Sequence, residues 1–147
     1  MNNEIKVEFE AISTNEAFAR VAVAAFMTPL NPTLEEIEDV KTAVSEAVTN
    51  AIIHGYEGGE GKIVMHCRIR ESCVHIEIQD TGRGIEDVKR AMEPLFTTKP
   101  QQERSGMGFS FMEAFMDDLQ VQSEVGKGTI VTMEKKIAGQ PYALNGE

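Results

Sequence analysis

The 147-residue chain has no tryptophan, only two cysteines and no long apolar run. A membrane-spanning helix needs about 20 consecutive apolar residues, and the segment from Met1 to Lys6 has neither the basic nor the apolar region of a signal peptide. Two cysteines are too few for a disulfide framework or a metal cage. These absences predict one cytoplasmic domain over residues 1–147, which is long enough to bury a core.

Positive charge is also scarce. The formal net charge is −10, and no basic block interrupts the acidic surplus. Such a charge opposes contact with phosphate backbones. We therefore expect neither nucleic acid nor a membrane as a direct partner.

Hydrophobic periodicity predicts a strand followed by two helices. Apolar residues alternate from Ile5 to Phe9, which is typical of a half-buried strand. The segments Ser13–Glu16 and Thr33–Glu36 both have the pattern of a capping box, so each is expected to begin a helix. The first helix should end at Met27. The second should end at Gly55, because the residue after a helix often adopts the left-handed conformation.

A β-hairpin is predicted after this second helix. Two alternating apolar runs, 63–69 and 74–78, are separated by Glu71 and Ser72. A turn there pairs residue 69 with 74, 67 with 76 and 65 with 78, so that every pair is apolar on one face. The same register puts Cys67 and Cys73 on opposite faces, where they are poorly placed for a disulfide.

The remaining elements complete an α+β pattern. A polar lid is expected at about 85–105, with a short helical segment at 88–92. A third helix should begin at Ser105–Gly108, followed by strands near 119–121 and 129–137 and a frayed tail at about 138–147. This order predicts a two-layer α/β sandwich, with helices over one face of the sheet.

The second helix carries a polar stripe in an apolar setting. Glu46, Asn50 and His54 recur at every fourth residue and therefore share one helix face. A buried carboxylate or amide is costly unless it is paired or bound to something. The stripe thus suggests a binding site, and our hypothesis is a metal-bound nucleotide. For His54 the simpler interpretation is a structural one, since a cation in the last turn interacts favourably with the helix dipole.

Four polar or glycine-rich segments recur in a recognisable order. They are Glu46–Asn50, Asp80–Gly84, Ser105–Gly108 and Gly126–Thr129. Their order and spacing resemble the N, G1, G2 and G3 boxes of the GHKL-type ATP-binding module, which gyrase, heat-shock chaperones, sensor histidine kinases and mismatch-repair ATPases share. The resemblance covers residues 3–137 and implies the Bergerat fold, with a mixed, mostly antiparallel sheet.

Three runs narrow the resemblance to one branch of that module. They are Glu46–Gly55, Pro94–Lys99 and Arg104–Phe109, which look most like the anti-sigma-factor serine kinases. Asn50 offers a neutral oxygen suited to Mg²⁺, and the resemblance implies the same role. Glu46, one turn earlier, is the candidate general base. The alternatives are an asparagine bonded to backbone and a solvated surface acid.

The resemblance also implies how ATP or ADP is held. Asp80 would accept from the adenine amino group, although Asp-x-Gly also caps turns. The flanking glycines Gly82 and Gly84 suit close approach of backbone to a flat base. The Thr129 hydroxyl would touch adenine, or else the residue serves only the strand.

Phosphate contacts are predicted in the lid and at the start of the third helix. Gly106 and Gly108 open a helix N-terminus, which is a ready anion site. Lys99 and Arg104 add positive charge, although cations in polar loops are usually solvated. The resemblance implies that Arg104 is the stronger candidate. The resemblance adds four further nucleotide contacts, Thr97, Thr98, Ser105 and Met107.

The expected function follows from the resemblance. It implies an anti-sigma factor that holds a sporulation sigma factor of the sigma F type inactive. It also implies an ATP-dependent protein serine kinase that phosphorylates an anti-anti-sigma factor, and a homodimer. The pattern has no second helical domain with a phospho-accepting histidine, so transfer is expected to go to another protein. Glu16 and Arg20 are candidate partner contacts. The alternatives are a nucleotide-dependent binding module without kinase activity and an isolated histidine-kinase catalytic domain.

Overall fold

A computed structural model describes residues 1–93 and 108–140 of the chain. The α-helices and β-strands in these ranges are β1 (Asn2–Glu10), α1 (Thr14–Met27), α2 (Leu34–Asn50), β2 (Lys62–Arg70), β3 (Cys73–Asp80), α3 (Val88–Ala91), α4 (Gly108–Phe115), β4 (Asp118–Glu124) and β5 (Gly128–Lys136). A short 3₁₀ turn (Thr28–Leu30) follows α1, and a π-helical turn (Ala51–Gly55) follows α2.

The five strands form one sheet in the order β1-β2-β3-β5-β4. Each of the four pairings is antiparallel, so the expectation of a mixed sheet is wrong for the described residues. Short turns join β2 to β3 and β4 to β5, whereas β1–β2 and β3–β5 pair across longer connections. The α+β class is confirmed.

The β2–β3 hairpin has the predicted register. Ile69 faces Val74, and the pairs 67 with 76 and 65 with 78 follow. Alternate residues of both strands are buried, because side chains in a strand point to opposite faces. Cys67 is buried while Cys73 is only partly so, and both thiols are free. The prediction that the two cysteines lie on opposite faces of the hairpin is confirmed.

The core lies between the inner face of the sheet and the helices α1, α2 and α4. Methionine contributes much of it, since Met27, Met65, Met112 and Met133 are fully buried. The unbranched methionine side chain adapts to irregular gaps. In the part of the chain that is described, no helix is both long and apolar enough to cross a membrane.

The predicted capping box at the start of α1 is wrong. Ser13 has a helical backbone conformation and its side chain makes no capping hydrogen bond. The carboxylate of Glu16 instead accepts from the hydroxyls of Ser45 (2.7 Å) and Thr49 (3.0 Å) on α2. Glu16 therefore joins α1 to α2 and does not form a local capping hydrogen bond with Ser13.

The capping box at the start of α2 is confirmed. The Glu36 amide donates to the Thr33 hydroxyl (3.1 Å), and the Thr33 amide donates to the Glu36 carboxylate (2.9 Å). That carboxylate also accepts from the amides of Ala138 (2.8 Å) and Gly139 (3.1 Å). Burial opposes ionisation here, but these amide donors lower the pKa of Glu36.

The segment after β5 is held in place up to Gln140, whose backbone amide donates to the Asn31 carbonyl (2.8 Å). The expected fraying from 138 is wrong for these residues, while 141–147 lie outside the described chain.

Thr33→Ala is expected to lower the free energy of unfolding by about 1 kcal/mol, the usual loss for an N-cap hydroxyl. Ser13→Ala is the matched control, because its hydroxyl caps nothing and the change should stay within about 0.5 kcal/mol. Urea denaturation of both variants measures the difference. Equal losses would show that the Thr33 hydroxyl contributes nothing as a cap.

Candidate functional site

The polar stripe of α2 is present in altered form. Glu46 and Asn50 lie one turn apart and both are half-buried, while Ala47 and Val48 between them are in the core. After Asn50 the helix widens into the π-helical turn that contains His54. Such turns occur often at functional sites. The stripe therefore keeps the predicted spacing for two of its three members.

Asp80 is a buried carboxylate at the end of β3, and its residue is only 6% exposed. The Gly82 amide donates to its Oδ1 (2.9 Å), and the Thr129 amide donates as well. Burial raises the pKa of Asp80, and these two donors act against that rise. Two oxygens can accept about four hydrogen bonds, so capacity remains for a ligand donor.

Gly55 and Gly82 form a close contact around this carboxylate. A Cβ on Gly82 would lie 2.1 Å from the Gly55 carbonyl oxygen, and a Cβ on Gly55 would lie 2.9 Å from the Oδ1 of Asp80. The Arg83 amide donates to the same Gly55 carbonyl (2.8 Å). Positive φ occurs later, at Glu57 and Gly58, so the predicted left-handed role of Gly55 is wrong. A side chain at position 55 would instead crowd the Asp80 carboxylate.

The first and third glycine boxes also interlock. Gly84 has φ +80°, and a Cβ there would lie 2.2 Å from the Glu124 carbonyl oxygen. Gly128 has φ +115°, and a Cβ there would lie 2.1 Å from the Asp80 carbonyl oxygen. These distances leave no room for a side chain. The glycines of the first box were predicted to allow close approach to a flat base. In the structure Gly82 and Gly84 lie close to protein backbone.

Ser123 joins the two boxes, and no sequence signal singled it out. Its hydroxyl accepts from the Ile85 amide (2.7 Å), donates to the Gly128 carbonyl (3.0 Å) and lies 2.7 Å from the Thr129 hydroxyl. Thr129 is 7% exposed. The Thr129 hydroxyl therefore has a protein partner, which favours a structural role in the strand over contact with adenine.

Tyr56 is a second residue that sequence patterns missed. Its hydroxyl donates to the Lys62 carbonyl (2.5 Å) and accepts from the Thr81 amide (2.8 Å). The ring fills the space where a side chain on Gly61 would lie. Tyr56 thus fixes the loop after α2 against the end of β3, beside Asp80.

A shallow pocket of about 270 Å³ opens at this end of β3. It includes Asp80 and Thr129, but neither Glu46 nor Asn50, so it covers only part of the candidate site. Gln79 and Ile130 place it partly on the outer face of the sheet. Its lining is Gln79, Asp80, Gln122, Ser123, Glu124, Lys127, Gly128, Thr129 and Ile130.

Several predicted site residues lie outside the described chain. Gly108 is the first residue of α4, and only its backbone is described. The predicted helical segment at 88–92 is present as α3. Of the proposed partner contacts, Glu16 is engaged with α2, and Arg20 lies 3.8 Å from Glu16 with a 42% exposed side chain. The undescribed predictions concern Thr97, Thr98, Lys99, Arg104, Ser105, Gly106 and Met107.

A family model described as "histidine kinase-like ATPase domain" matches residues 9–135. The chain belongs to this family. It is 56% identical over 138 residues to an anti-sigma F factor from Clostridium acetobutylicum. That match covers 94% of this chain and 96% of the relative. An anti-sigma F factor from Clostridium botulinum Eklund 17B is 61% identical over 135 residues, covering 91% and 94%.

Solved structures support the fold of the histidine kinase-like ATPase family. The RsbU and RsbW domains of Rv1364c from Mycobacterium tuberculosis align with a TM-score of 0.67 and 16% identity, covering 96% of this chain and 35% of that one. The nucleotide-free catalytic domain of the histidine kinase ThkA aligns with a TM-score of 0.55 and 18% identity, covering 92% and 99%. At these identities the likeness concerns the fold alone.

Proposed function

We propose that this protein is an anti-sigma factor that binds and inhibits a sporulation sigma factor of the sigma F type. We further propose that it is a cytoplasmic protein serine kinase, which inactivates an anti-anti-sigma factor by phosphorylation. The observation that carries the proposal is the 56–61% identity to anti-sigma F factors over nearly the full length of both chains.

The chemistry around Asp80 supports an adenine nucleotide as the ligand. An ionised carboxylate accepts hydrogen bonds and donates none, so it favours an exocyclic amino group over the carbonyl that guanine has at that position. Glycine at position 55 keeps a side chain away from this carboxylate, because a Cβ there would lie 2.9 Å from its Oδ1. The acceptor therefore fits the amino group of adenine.

Asn50 and Glu46 supply the remaining chemistry from α2. The amide oxygen of Asn50 is a hard ligand that fits Mg²⁺, which usually takes one or two protein oxygens together with phosphates and water. Bound Mg²⁺·ATP would provide the phosphoryl group and neutralise its charge. Glu46 would accept the proton that the serine hydroxyl loses. In this proposal Asn50 binds and orients the metal, and Glu46 accepts the proton.

The predicted homodimer is part of the proposal. β1 is an edge strand of the sheet, and Ile12, Phe18 and Val21 nearby are exposed apolar residues. An open strand edge and an exposed apolar patch are both features of association surfaces. They support this side of the molecule as the dimer contact.

The test mixes purified protein, sigma factor, anti-anti-sigma factor and labelled nucleotide. We expect phosphoserine on the anti-anti-sigma factor from ATP and not from GTP. Asp80→Asn should lower ATP affinity by about 10- to 150-fold, which corresponds to one hydrogen bond to a charged group. Asp118→Asn, which removes an exposed surface charge, is the control and should leave affinity unchanged.

Two outcomes would replace the proposal. Sigma binding without any phosphorylation would favour a binding module, in which nucleotide sets only partner affinity. An acid-labile phosphohistidine product would favour a histidine-kinase catalytic domain. Equal transfer from ATP and GTP would remove Asp80 as the base-selecting residue.

A further inference from the structure

Three side chains with metal-binding atoms meet on the outer face of the sheet, away from the helices. Cys73 and His75 are two residues apart on β3 and so point to the same face. Glu134 on β5 is the cross-strand partner of His75. The Cys73 Sγ, a ring nitrogen of His75 and a carboxylate oxygen of Glu134 all lie within 4.8 Å of one another.

The cluster is partly sheltered and already in contact. The Nδ1 of His75 lies 3.1 Å from the Oε2 of Glu134, and the two side chains are 25% and 44% exposed. Cys73 has intermediate exposure. Both strands lie inside the sheet, β3 between β2 and β5, and β5 between β3 and β4. Paired backbone on both sides therefore fixes the spacing of the three residues.

The donor set matches one class of cation. Thiolate sulfur, imidazole nitrogen and carboxylate oxygen are the three ligand types of protein-bound Zn²⁺, at about 2.3, 2.0–2.1 and 2.0–2.2 Å from the metal. Ligand atoms in such a tetrahedron are separated by roughly 3.3–3.7 Å by these bond lengths. A spacing within 4.8 Å requires only small rotations of the side chains to reach that geometry.

We propose that Cys73, His75 and Glu134 bind Zn²⁺ as a three-ligand site whose fourth position takes water. A thiolate and a carboxylate would neutralise the two charges of the ion. Hard cations such as Mg²⁺ prefer oxygen-only shells, so this site selects against the ion of the nucleotide site.

Negative charge near Cys73 also favours a divalent cation. Glu134 and Asp117 both act on Cys73, and Lys136 is the opposing positive charge. A thiol ligand releases its proton when the metal binds.

The zinc cluster of Cys73, His75 and Glu134 is separate from the candidate nucleotide site. Cys73 begins β3 and Asp80 ends it, so the two ends are roughly 23 Å apart at about 3.3 Å per residue. The zinc cluster also faces away from α2, which carries Glu46 and Asn50. The inference does not depend on the proposed function, because it concerns different residues and a different ion.

The test is a metal titration of the full-length protein in chelator-treated buffer. Co²⁺ should give a thiolate-to-metal charge-transfer absorption, and added Zn²⁺ should abolish it at one equivalent per chain. Cys73→Ser should remove the absorption. His75→Gln and Glu134→Gln should each weaken Zn²⁺ binding by more than the roughly 10- to 100-fold that is typical of losing an outer-shell partner.

The matched control is His66→Gln. His66 also lies on the outer face and pairs with an acid, Glu4, so its replacement should leave Zn²⁺ affinity unchanged. A large excess of Mg²⁺ should not compete. Binding that survives Cys73→Ser and His75→Gln, or absence of the charge-transfer absorption in the folded wild type, would overturn the proposal.

Discussion

Glu46→Gln is expected to lower the rate of phosphoryl transfer to the anti-anti-sigma factor by about 10²- to 10⁴-fold, the usual contribution of a general base. The substitution keeps size and shape but removes the ability to accept a proton. Glu46 is half-buried on α2, one turn from Asn50. Single-turnover measurements with preloaded ATP isolate the chemical step from nucleotide binding.

Sigma-factor binding is the second measurement on this variant, because a structural role for Glu46 would disturb it as well. Glu38→Gln is the matched control on the same helix. The Glu38 side chain is 68% exposed and pairs with Lys41 at the surface, so both activities should persist. Full transfer by Glu46→Gln would eliminate the general-base role. Loss of both activities would identify Glu46 as structural.

Gly82→Ala is expected to disrupt the site by a backbone clash. The new Cβ would lie 2.1 Å from the oxygen and 2.4 Å from the carbon of the Gly55 carbonyl. Both contacts are with backbone, so the loop at Gly82 or the end of the π-helical turn must move. Overpacking of this kind costs about 1–3 kcal/mol. Movement of the Gly82 amide also removes a donor to Asp80, so ATP affinity should fall by about 10- to 150-fold.

Gly58→Ala separates the loss of stability from the loss of binding. Gly58 has φ +78°, but nothing lies within 4 Å of the position that its Cβ would take. The variant should lose about 1 kcal/mol of stability from left-handed backbone strain and keep its ATP affinity. Denaturation and nucleotide titration of both variants provide the comparison. Equal affinities would show that the Gly55–Gly82 contact does not shape the nucleotide site.

Local patterns predicted much of the framework correctly. The hairpin register followed from two independent alternations that agree only if Glu71 and Ser72 form the turn. The Thr33 box is confirmed because all of its partners lie within three residues. Helical spacing likewise predicted that Glu46 and Asn50 lie one turn apart on α2, and their catalytic and metal-binding roles stay predictions.

Contacts between distant segments were not predictable in this way. Ser13 and Glu16 have the right spacing for a capping box, but the Glu16 carboxylate accepts hydrogen bonds from two hydroxyls on α2. Ser123 carries no recognisable motif, and its role depends on the meeting of two glycine boxes. The zinc cluster needs both the two-residue period of β3 and the β3–β5 register, which places Glu134 opposite His75.

The interlock of Gly55, Asp80 and Gly128 has a consequence for protein synthesis. Asp80 contacts Gly55 through its carboxylate and Gly128 through its carbonyl, and its Thr129 donor belongs to β5. A nascent chain that has released α2 and β3 but not β5 has an incomplete setting for this carboxylate. The setting of the Asp80 carboxylate is therefore completed only when β5 leaves the ribosome and pairs with β3.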